Sequence, residues 1–511
     1  MARYSDSASP DEAVLIETDD FALVYDRRNR AFHKKLWDSS TKSWTTKVAP
    51  YSVIVCKDGS TVWAEDSDGK TIASGESGVD DASVIQSALN LGGTIYITKG
   101  EFILNEPVKP NNYTRVILAS GAIIKAIEDY ETVSGVEYMI DLWNRQYIII
   151  YGGIFDGNGQ SLVLLRLGAT NKYIIVRDAE FRNAPSQFTL ALYNHNVDPG
   201  EFITIENCYF HDCGELMIGN PYKNIIVANC YFESITPRLA GRGISINPYK
   251  TGKWDEDITV RDCRVIGQGI FTGGEVNGLY LINNVVLNPS GDGLTVQFSK
   301  NVMWIGNRIE NAGDLGFADH ENENSIIIGN KVYNAVNACI KIYNAANSIV
   351  YGNILDKNQN SDVDVLTISV GDSGQSKAII IGNVIKNSAR YGIGDHNTIA
   401  TENIIAYNRF ENNSAGALGG GNIANDKIFS NIGYITENSG TATFSGDGAT
   451  TQFSIAHGLV STPTKVSVTP MTADAASDFY VTVDDTNIYI NYKSAPPSGT
   501  DNLKFSWYAE V

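Results

Sequence analysis

The sequence lacks any apolar run that approaches the roughly 18 residues of a membrane-spanning helix. Its first residues, MARYSDSASPDEAV, also lack the basic and apolar regions of a secretory signal peptide. We therefore expect no membrane insertion. If the protein works outside a cell, we expect a route other than a signal peptide to take it there.

Positive charge is scarce as well. The 511 residues include 39 Lys and Arg against 58 Asp and Glu, which gives a net charge of −19. General nucleic-acid binding needs a basic surface that replaces counterions, so we predict no nucleic-acid partner. An anionic polysaccharide would need a local basic patch.

Cysteine is too rare for a disulfide scaffold, because the chain has only six. Three of them, Cys208, Cys230 and Cys263, fall at one position of the repeat that runs through the chain. Metal binding would need closer clustering or histidine partners, so we predict a stack of small buried thiols and no metal site.

What the sequence has instead is this repeat. The segment ITIENCYFHDC at 203–213 returns as IIVANCYFESI at 225–235, an interval of 22 residues. We align an Asn or Asp in the same position of each repeat, mostly at intervals of 21–25 residues. The aligned residues are Asp178, Asn207, Asn229, Asp262, Asn283, Asn307, Asn330, Asn353, Asn383 and Asn408.

Short apolar alternation between polar turns is typical of strands, and no helical stripe accompanies it. This period predicts a parallel β-helix, in which each repeat forms one coil about 4.8 Å from the next. The leucine-rich alternative needs a Leu-x-x-Leu-x-Leu spacing that is absent. We predict roughly a dozen coils between residues 93 and 435, with the recurring Asn side chains hydrogen-bonded in a ladder.

A short helix is predicted just before the coils, at residues 80–91. Asp80 or Asp81 suits its N-cap, and Gly92 suits its end. Its apolar face consists of Val84, Ile85, Ala88 and Leu89. We expect this helix to cover the open end of the coil stack, which otherwise exposes unpaired strand edges.

The segment DDASVIQSALNLGGTIYITKGEF, which holds this helix, resembles the N-terminal segment of the pectate-lyase-like superfamily of right-handed β-helix proteins. GGIFDGNG at 152–159 is similar to the GGxIDGxG element of that superfamily, polygalacturonases included. The resemblance covers about residues 78–435 and implies the fold. It leaves the activity open, because the superfamily includes lyases, hydrolases, epimerases, viral tailspikes and non-catalytic adhesins. Calcium as a cofactor enters only by this analogy, since the chain carries no calcium-binding motif.

The flanking segments lack the period. Residues 1–77 predict β-hairpins, the second of which resembles the lead-in hairpin of β-helix proteins from archaea and viruses. Residues 437–511 predict at least six strands and resemble C-terminal modules of phage and archaeal-virus tail proteins, which often trimerise or bind glycans. We predict an all-β chain with a small N-terminal β domain at 1–77, a right-handed parallel β-helix at 78–436 and a C-terminal β-sandwich at 437–511.

One strand can be aligned from coil to coil. Its inward positions are Ile244, Leu294, Phe317, Ile340, Leu366 and Ile393, and then Ile246, Val296, Asp319, Ile342, Ile368 and Asp395. Its outward positions are Ser245, Thr295, Ala318, Lys341, Thr367 and Gly394, and then Asn247, Gln297, His320, Tyr343, Ser369 and His396. Asp319 and Asp395 break the apolar pattern, and a carboxylate there must be hydrogen-bonded or have a shifted pKa.

Two interpretations of the Asp319–His320 and Asp395–His396 pairs stay open. In the first, the strand ends early and both pairs lie in ordinary turns. In the second, the four residues are catalytic with their neighbours on adjacent coils. The stretch SGDGLTV at 290–296 is interpreted as ordinary turn composition.

The spacing of the two aspartates bears on the reaction. They lie three coils apart, roughly 14 Å, whereas the two carboxylates of a glycosidase stand about 5–5.5 Å or 6.5–9.5 Å apart. The Asp-Asp and Gly-His-Gly motifs of polygalacturonases are also missing. β-Elimination from a uronic acid instead needs a base, an acid and a cation that holds the carboxylate. His320, Tyr343 and Lys341 supply these types, so we predict a lyase in preference to a hydrolase.

A long insertion in one coil supplies a second candidate site, for substrate binding. It is the most basic stretch of the repeat region, and its Tyr and Trp side chains are suited to stacking on sugar rings. The candidate residues are Arg238, Arg242, Tyr249, Lys250, Trp254, Arg261 and Arg264. The alternative is a solvated loop whose charges neutralise one another.

These features predict a virion tailspike or fibre that binds and degrades host surface polysaccharide. Residues 1–77 would attach it to tail or baseplate proteins, and the chain would form a homotrimer. The first alternative is a non-catalytic receptor-binding or adhesin protein. The second is a cellular extracellular polysaccharide lyase or epimerase.

Overall fold

The computed structural model describes ten stretches of the chain and, before them, the backbone of four strands. The stretches are residues 51–168, 170–193, 199–219, 221–235, 242–246, 254–358, 363–369, 377–396, 402–420 and 426–511. The chain forms two compact units, Met1–Gly291 and Asp292–Val511. Among the residues described, no helix is both long and apolar enough to cross a bilayer.

The first unit contains these elements. They are β1 (Glu12–Glu17), β2 (Phe21–Asp26), β3 (Ala31–Asp38), β4 (Ser43–Thr46), β5 (Val53–Asp58), β6 (Thr61–Asp66), β7 (Thr71–Glu76), α1 (Asp81–Leu91), β8 (Gly93–Ile97), β9 (Gly100–Leu104), β10 (Thr114–Leu118), β11 (Ala122–Ala126), α2 (Tyr130–Ser134), β12 (Tyr138–Asp141), β13 (Gln146–Tyr151), β14 (Ile154–Asp156), β15 (Val163–Gly168), β16 (Lys172–Arg177), β17 (Glu180–Tyr193), β18 (Gly200–Glu206), β19 (Tyr209–Ile218), β20 (Tyr222–Ala228), β21 (Tyr231–Glu233), β22 (Arg242–Ile246), β23 (Asp255–Arg261), β24 (Arg264–Ile266), β25 (Gly269–Thr272), β26 (Val276–Ile282) and β27 (Val285–Leu287).

Three parallel strand ladders build the coils of this unit. Ladder I consists of β8, β10, β13, β16, β18, β20, β23 and β26. Ladder II consists of β9, β11, β14, the first parts of β17 and β19, β21, β24 and β27. Ladder III consists of β12, β15, the last parts of β17 and β19, β22 and β25. Alternate side chains point inward, so the parallel β-helix predicted from the repeat is confirmed.

The helix predicted at 80–91 is observed as α1, and all four residues of its predicted apolar face are buried. Asp80 occupies the predicted N-cap position, but its side chain makes no capping hydrogen bond to the helix. Asp80 accepts a hydrogen bond from the Glu76 backbone N–H at 2.8 Å. The buried Asp81 pairs with Lys57 at 2.6 Å and accepts from the Ile103 N–H at 2.6 Å. Both carboxylates therefore tie the start of the helix to the strands around it.

The second unit contains these elements. They are β28 (Leu294–Gln297), β29 (Lys300–Ile305), β30 (Arg308–Glu310), β31 (Phe317–His320), β32 (Ile326–Ile328), β33 (Lys331–Tyr333), β34 (Ile340–Tyr343), β35 (Ile349–Tyr351), β36 (Ile354–Asp356), β37 (Leu366–Ser369), β38 (Ile379–Ile381), β39 (Val384–Lys386), β40 (Tyr391–Asp395), β41 (Ile404–Ala406), β42 (Arg409–Glu411), β43 (Gly416–Gly420), β44 (Lys427–Phe429), β45 (Glu437–Gly446), β46 (Gln452–Ala456), β47 (Lys465–Pro470), β48 (Phe479–Val483), β49 (Asn487–Tyr492) and β50 (Gly499–Glu510).

The same three ladders recur here. Ladder I consists of β29, β32, β35, β38, β41 and β44, ladder II of β30, β33, β36, β39 and β42, and ladder III of β28, β31, β34, β37, β40 and β43. The last six strands form two three-stranded antiparallel sheets, β45-β50-β47 and β46-β49-β48. Their shared core includes Ile488, Ile490, Leu503 and Phe505. The domain boundaries at residues 77 and 436 stay predictions.

The recurring Asn and Asp residues fall into two adjacent columns of the β-helix. The alignment made from the sequence, which placed them all in one column, is therefore wrong. Asn207, Asn229, Asp262 and Asn283 share a left-handed turn position that Gly306 and Gly329 occupy in later coils. The next position inward holds the buried thiols Cys208, Cys230 and Cys263. It also holds the buried Asn284 of the first unit, and in the second unit it holds a buried amide ladder of Asn307, Asn330, Asn353, Asn383, Asn408 and Asn431. A slip of one residue moves a side chain between surface and interior.

The inward columns predicted for ladder III are correct, whereas in the predicted outward columns Ser245, Thr295 and Ala318 are buried. All twelve predicted inward residues are buried, Asp319 and Asp395 included. The predicted alignment missed one coil, β25, whose Ile270 and Phe271 pair with Ile244 and Ser245.

Candidate functional site

Ladder III of the second unit carries a row of polar side chains on its outer face. Gln297, His320, Tyr343 and Ser369 stand in register on four successive strands. They alternate along each strand with a second outward column that is mostly covered, since Thr295 and Ala318 are buried. We refer to this strip, with the half-buried row on one side and the covered column on the other, as the groove.

His320, Lys341 and Tyr343 lie together in this groove, as the sequence predicted. The His320 and Tyr343 rings meet edge to face with centroids 5.5 Å apart. The Lys341 Nζ lies 5.5 Å from the centroid of the Tyr343 ring. One aromatic hydroxyl, one imidazole and one ammonium thus share a single patch.

The imidazole of His320 is held neutral. Burial, with help from the positive charge of Lys341, lowers its pKa from 6.5 to about 4. Its Nε2 is buried and has no hydrogen-bond partner among the described residues. A neutral imidazole at physiological pH can accept a proton, and a substrate group that reached Nε2 would supply the partner that it lacks.

Asp292 and Asp314 border the same patch, and the sequence analysis missed both. Asp292 accepts hydrogen bonds from the Thr295 hydroxyl at 2.7 Å and from the Leu315 N–H at 3.0 Å. Burial raises its pKa, and the charge of Asp314 raises it further, while Lys341 opposes the shift. The SGDGLTV stretch holds Asp292, so its interpretation as ordinary turn composition overlooked a residue that borders the groove.

Asp319 faces the interior and not the groove. Its carboxylate accepts hydrogen bonds from Asn322 at 2.7 Å, Ser325 at 2.8 Å and Ser348 at 2.7 Å. Burial nevertheless raises its pKa. The Asp319–His320 pair lies in β31 and not in a turn. Asp319 therefore fixes the strand from inside while His320 faces out.

His396 has a different partner from the one that the sequence suggested. Its Nε2 lies 2.6 Å from the Oδ2 of Asp364, a buried carboxylate that also accepts from the Tyr391 N–H at 3.1 Å. A Cβ at Gly394 would stand 1.9 Å from that same Oδ2, so the glycine leaves room for the carboxylate. Asp395 is buried at the end of β40. The coil therefore holds an Asp-His pair, but through Asp364 and not Asp395.

The basic stretch predicted to bind substrate is only partly described. Arg238, Tyr249 and Lys250 lie outside the described residues. The Arg242 guanidinium lies 3.5 Å from the centroid of the Phe271 ring, and Trp254 is 37% exposed.

The last two residues of that stretch lie on regular strands and not in a loop. Arg261 ends β23 in ladder I and pairs with Asp262 at 2.9 Å. Arg264 begins β24 in ladder II, beside Tyr231. The described basic residues are thus spread over different ladders.

A second polar cluster lies on the outer face of ladder II in the first unit. The Tyr231 hydroxyl donates to Glu233 at 2.9 Å, the Tyr209 hydroxyl also contacts Glu233, and His211 Nε2 lies 3.2 Å from Glu180. The two hydroxyls hold the pKa of Glu233 below its usual range. These groups bond to one another, so the cluster stabilises the ladder and offers a substrate few free partners.

The described residues show no metal-ligand set: nowhere among them do three His, Cys, Asp or Glu side chains gather as a metal ion requires. Cys208, Cys230 and Cys263 are free, buried thiols that lie next to one another. Burial, together with the two neighbouring thiols, raises the pKa of Cys230 well above its usual value.

Comparisons with known proteins agree with the β-helix fold described above. Residues 268–447 match the family model of the right-handed β-helix region. No curated protein matches the chain by sequence. Among solved structures, a tailspike protein double mutant of E. coli bacteriophage HK620 is 13% identical with a TM-score of 0.48, over 88% of this chain and 92% of that one.

Two further solved structures are similar. A mannuronan C-5 epimerase A-module of Azotobacter vinelandii is 16% identical with a TM-score of 0.42, over 69% of this chain and 94% of that one. A surface adhesin of Streptococcus pneumoniae is 15% identical with a TM-score of 0.43, over 67% of this chain and 91% of that one. With the stacked coils, the family match identifies the fold of this chain as a right-handed parallel β-helix.

Proposed function

We propose that the chain binds a surface polysaccharide along its coils and cleaves it by β-elimination in the groove of the second unit. The observation that carries this proposal is the neutral His320 beside Lys341 and Tyr343. A lyase needs these three chemical types within reach of one sugar ring.

Each of the three residues has a role in the proposed reaction. Lys341 holds the uronate carboxylate, whose charge it offsets. His320 takes the proton from C5, and the electrons of that C–H bond form the C4=C5 double bond. The glycosidic C4–O bond breaks, and the Tyr343 hydroxyl donates a proton to the leaving oxygen. Asp319 supports strand β31 from inside, while the Asp364–His396 pair lies beside β40, away from the three reacting groups.

The test is cleavage of polyuronates by the full chain, followed through the ultraviolet absorbance of the new conjugated double bond. We expect His320→Gln, Tyr343→Phe and Lys341→Met each to lower the rate by about 100-fold or more, because one positioned acid or base contributes about that much. Lys331→Met and Tyr333→Phe, on the outer face of ladder II, are matched controls. Unchanged rates in the groove variants, or no product from any polyuronate, contradict the lyase.

A second candidate function is glycan binding without cleavage. The observation that favours it is the pair Asp292 and Asp314, whose charges lie beside Lys341 and disfavour a polyanion. In this case a neutral glycan binds in the groove and its length stays unchanged, while Tyr343→Ala weakens binding in calorimetry. Shortening of the bound glycan contradicts this alternative.

The setting of this activity is proposed from the sequence resemblance. Residues 1–77 attach the protein to a virion tail or baseplate, and three copies assemble. A cellular extracellular lyase or epimerase remains the alternative, which a purified virion preparation that contains the chain would exclude.

A further inference from the structure

Thr367 carries a hydroxyl that has no partner, and the proposed reaction gives this residue no role. It lies on the outer face of ladder III, in register with Lys341 on the neighbouring strand. Thr367 is only 9% exposed, and its hydroxyl oxygen makes no hydrogen bond to the described part of the chain. A buried hydroxyl without a partner costs free energy of folding, so its position needs an explanation.

An earlier copy of the same short motif shows the threonine paired. The sequence DGLT runs from Asp292 to Thr295. It returns as DVLT, which runs from Asp364 to Thr367. In the first copy one carboxylate oxygen accepts a backbone N–H at 3.0 Å, and the other accepts the Thr295 hydroxyl at 2.7 Å. In the second copy one oxygen again accepts a backbone N–H, at 3.1 Å, but the other bonds to His396 at 2.6 Å. The imidazole thus takes the place of the threonine, whose hydroxyl is left without an acceptor.

A glycine makes room for this exchange. Gly394 is in register with Thr367 on the next strand of ladder III. A Cβ at Gly394 would stand 1.9 Å from the Oδ2 of Asp364 and 2.8 Å from the Nε2 of His396. The Asp364–His396 pair therefore lies over the glycine, on the same face as the unpaired hydroxyl and one strand away from it.

Arg390 adds a positive charge beside this pair. Its side chain is 36% exposed, and its Nε lies 3.8 Å from the Oδ1 of Asp364. That distance is too long for a hydrogen bond, and both oxygens of Asp364 already accept shorter bonds from His396 and from the Tyr391 N–H. The planar guanidinium presents several N–H groups in a fork that matches a carboxylate, so Arg390 is suited to hold one from a ligand.

These residues lie further along the groove than the reacting groups of the proposed lyase. Lys341 is on β34, Thr367 is on β37, and His396 directly follows β40. Neighbouring strands are about 4.8 Å apart, so His396 lies roughly 10 Å along the stack from Lys341. A polysaccharide that runs along the coils and is cut beside Lys341 therefore places a different sugar unit beside Thr367 and His396.

We propose that Thr367, His396 and Arg390 bind a second uronate unit of the polysaccharide that is cut. Arg390 holds the carboxylate of this unit, while Thr367 and the Nδ1 of His396 pair with its hydroxyl groups. A turn of Thr367 about its Cα–Cβ bond exchanges its methyl group for its hydroxyl and brings the hydroxyl to the surface. The unit is acidic because Asp364 spends its charge within the protein, which leaves Arg390 as the charge that meets the ligand. This inference rests on the proposed function, since it extends the same groove.

The experiment measures how cleavage by the full chain depends on substrate length, with fragments of polygalacturonate and polymannuronate up to the hexasaccharide. The shortest fragment that is cut covers mainly the bond that breaks, whereas the hexasaccharide also reaches Thr367. For the hexasaccharide we expect Thr367→Val to raise KM about 3- to 10-fold, through the loss of a neutral hydrogen bond. Arg390→Met should raise it about 10- to 100-fold, through the loss of a charged one. The losses should be confined to KM and to the longer fragments, because neither side chain touches the reacting atoms.

Thr272→Val is the matched control for the threonine. The Thr272 hydroxyl is also buried and unpaired among the described residues, but it lies in register with the inward Ile246 in the first unit. Both changes remove a buried hydroxyl that has no partner, so both should raise the urea concentration at the midpoint of unfolding. Only Thr367→Val should also raise KM. Arg409→Met, on the outer face of ladder II, is the control for the arginine and should leave KM unchanged.

The outcomes separate this inference from the proposed function. An unchanged KM for the hexasaccharide in Thr367→Val and Arg390→Met, or an equal loss for the shortest and longest fragments, overturns the second sugar position and leaves the lyase standing. If Arg390→Met does not fold, Arg390→Lys keeps the charge without the fork and should still raise KM for the hexasaccharide. If no fragment is cut, calorimetry with the same fragments and variants decides. Weaker binding of the long fragments by the variants then supports the sugar position without the lyase, and no binding by the wild type overturns both.

Discussion

At the scale of single residues, His320 makes the activity depend on pH in a defined way. Its pKa of about 4 lies below the ordinary 6.5, so the ring stays neutral and able to accept a proton down to about pH 4. We expect the acid side of the pH profile of the cleavage rate to fall near pH 4. A fall centred near pH 6.5 would mean that another histidine, or a solvated His320, is the base.

The same shift affects stability. The unfolded chain takes up a proton on this ring as pH falls through 6.5, and the folded chain does so only near 4. The folded state therefore has its full share of stability above 6.5 and loses it as pH falls from 6.5 towards 4. His320→Gln removes this loss, so the variant should be less sensitive to acid in urea titrations across that range.

Asp319 yields a second prediction at this scale. Asp319→Ala leaves three buried donors without an acceptor, so we expect a loss of about 3 kcal/mol in the free energy of unfolding. Asp319→Asn should cost clearly less, because the hydroxyl of Ser348 can turn and donate to or accept from the amide. Urea unfolding of both variants measures the difference. Equal losses would show that the hydrogen bonds are not what holds this position.

The sequence predicted which residues of the groove lie together, but it did not predict the hydrogen-bond partner of His396. His320, Lys341 and Tyr343 were found because a period of one coil places them in register. Asp364 was not found, because it lies 32 residues from His396 in a turn and meets it only after the coil closes. A turn carboxylate has no periodic signature, so its direction comes only from the folded backbone.

At the scale of elements, the buried amide ladder is the main polar feature inside the second unit. Asn353 accepts from the Asn330 side chain at 3.0 Å, donates to Asn383 at 2.9 Å and donates to the Ile327 carbonyl at 2.9 Å. We expect Asn353→Ala to lower the free energy of unfolding by about 2–3 kcal/mol, because it leaves buried amide groups unpaired on both sides. Asn337→Ala, at an exposed position, should stay within about 0.5 kcal/mol. Similar effects of the two changes in denaturant titrations would contradict the ladder's role.

The repeat predicted the coils but placed this ladder one position away from where it lies. In early coils an Asn at the left-handed turn precedes a buried Cys, and in later coils a Gly precedes a buried Asn. Because the turns of the early and the later coils both contain an Asn, a sequence alignment matches these residues, although one Asn side chain faces the surface and the other faces the interior. Spacing alone cannot separate these cases, since the left-handed position and the buried one are adjacent.

At the scale of the whole molecule, salt should strengthen self-association. The chain carries a net charge of −19, so copies repel one another at low ionic strength. Raising salt from about 0.01 M to about 0.15 M shortens the Debye length from about 30 Å to about 8 Å, which weakens the repulsion between the copies of the proposed homotrimer. Sedimentation velocity should show a larger fraction of the assembled form at the higher salt. A smaller fraction would point to ion pairs between the copies in place of an apolar contact.

The thiol column has a consequence for the life of the protein in an oxidising medium. Cys208, Cys230 and Cys263 are buried and unpaired, and a raised pKa keeps Cys230 from forming the thiolate that oxidants attack. While the coils are closed, air and peroxide leave these sulfurs unchanged. Once the coils open, three neighbouring sulfurs become reactive at the same time and can cross-link in non-native pairs. Denaturation under oxidising conditions should therefore be a one-way event, and a reductant should restore refolding.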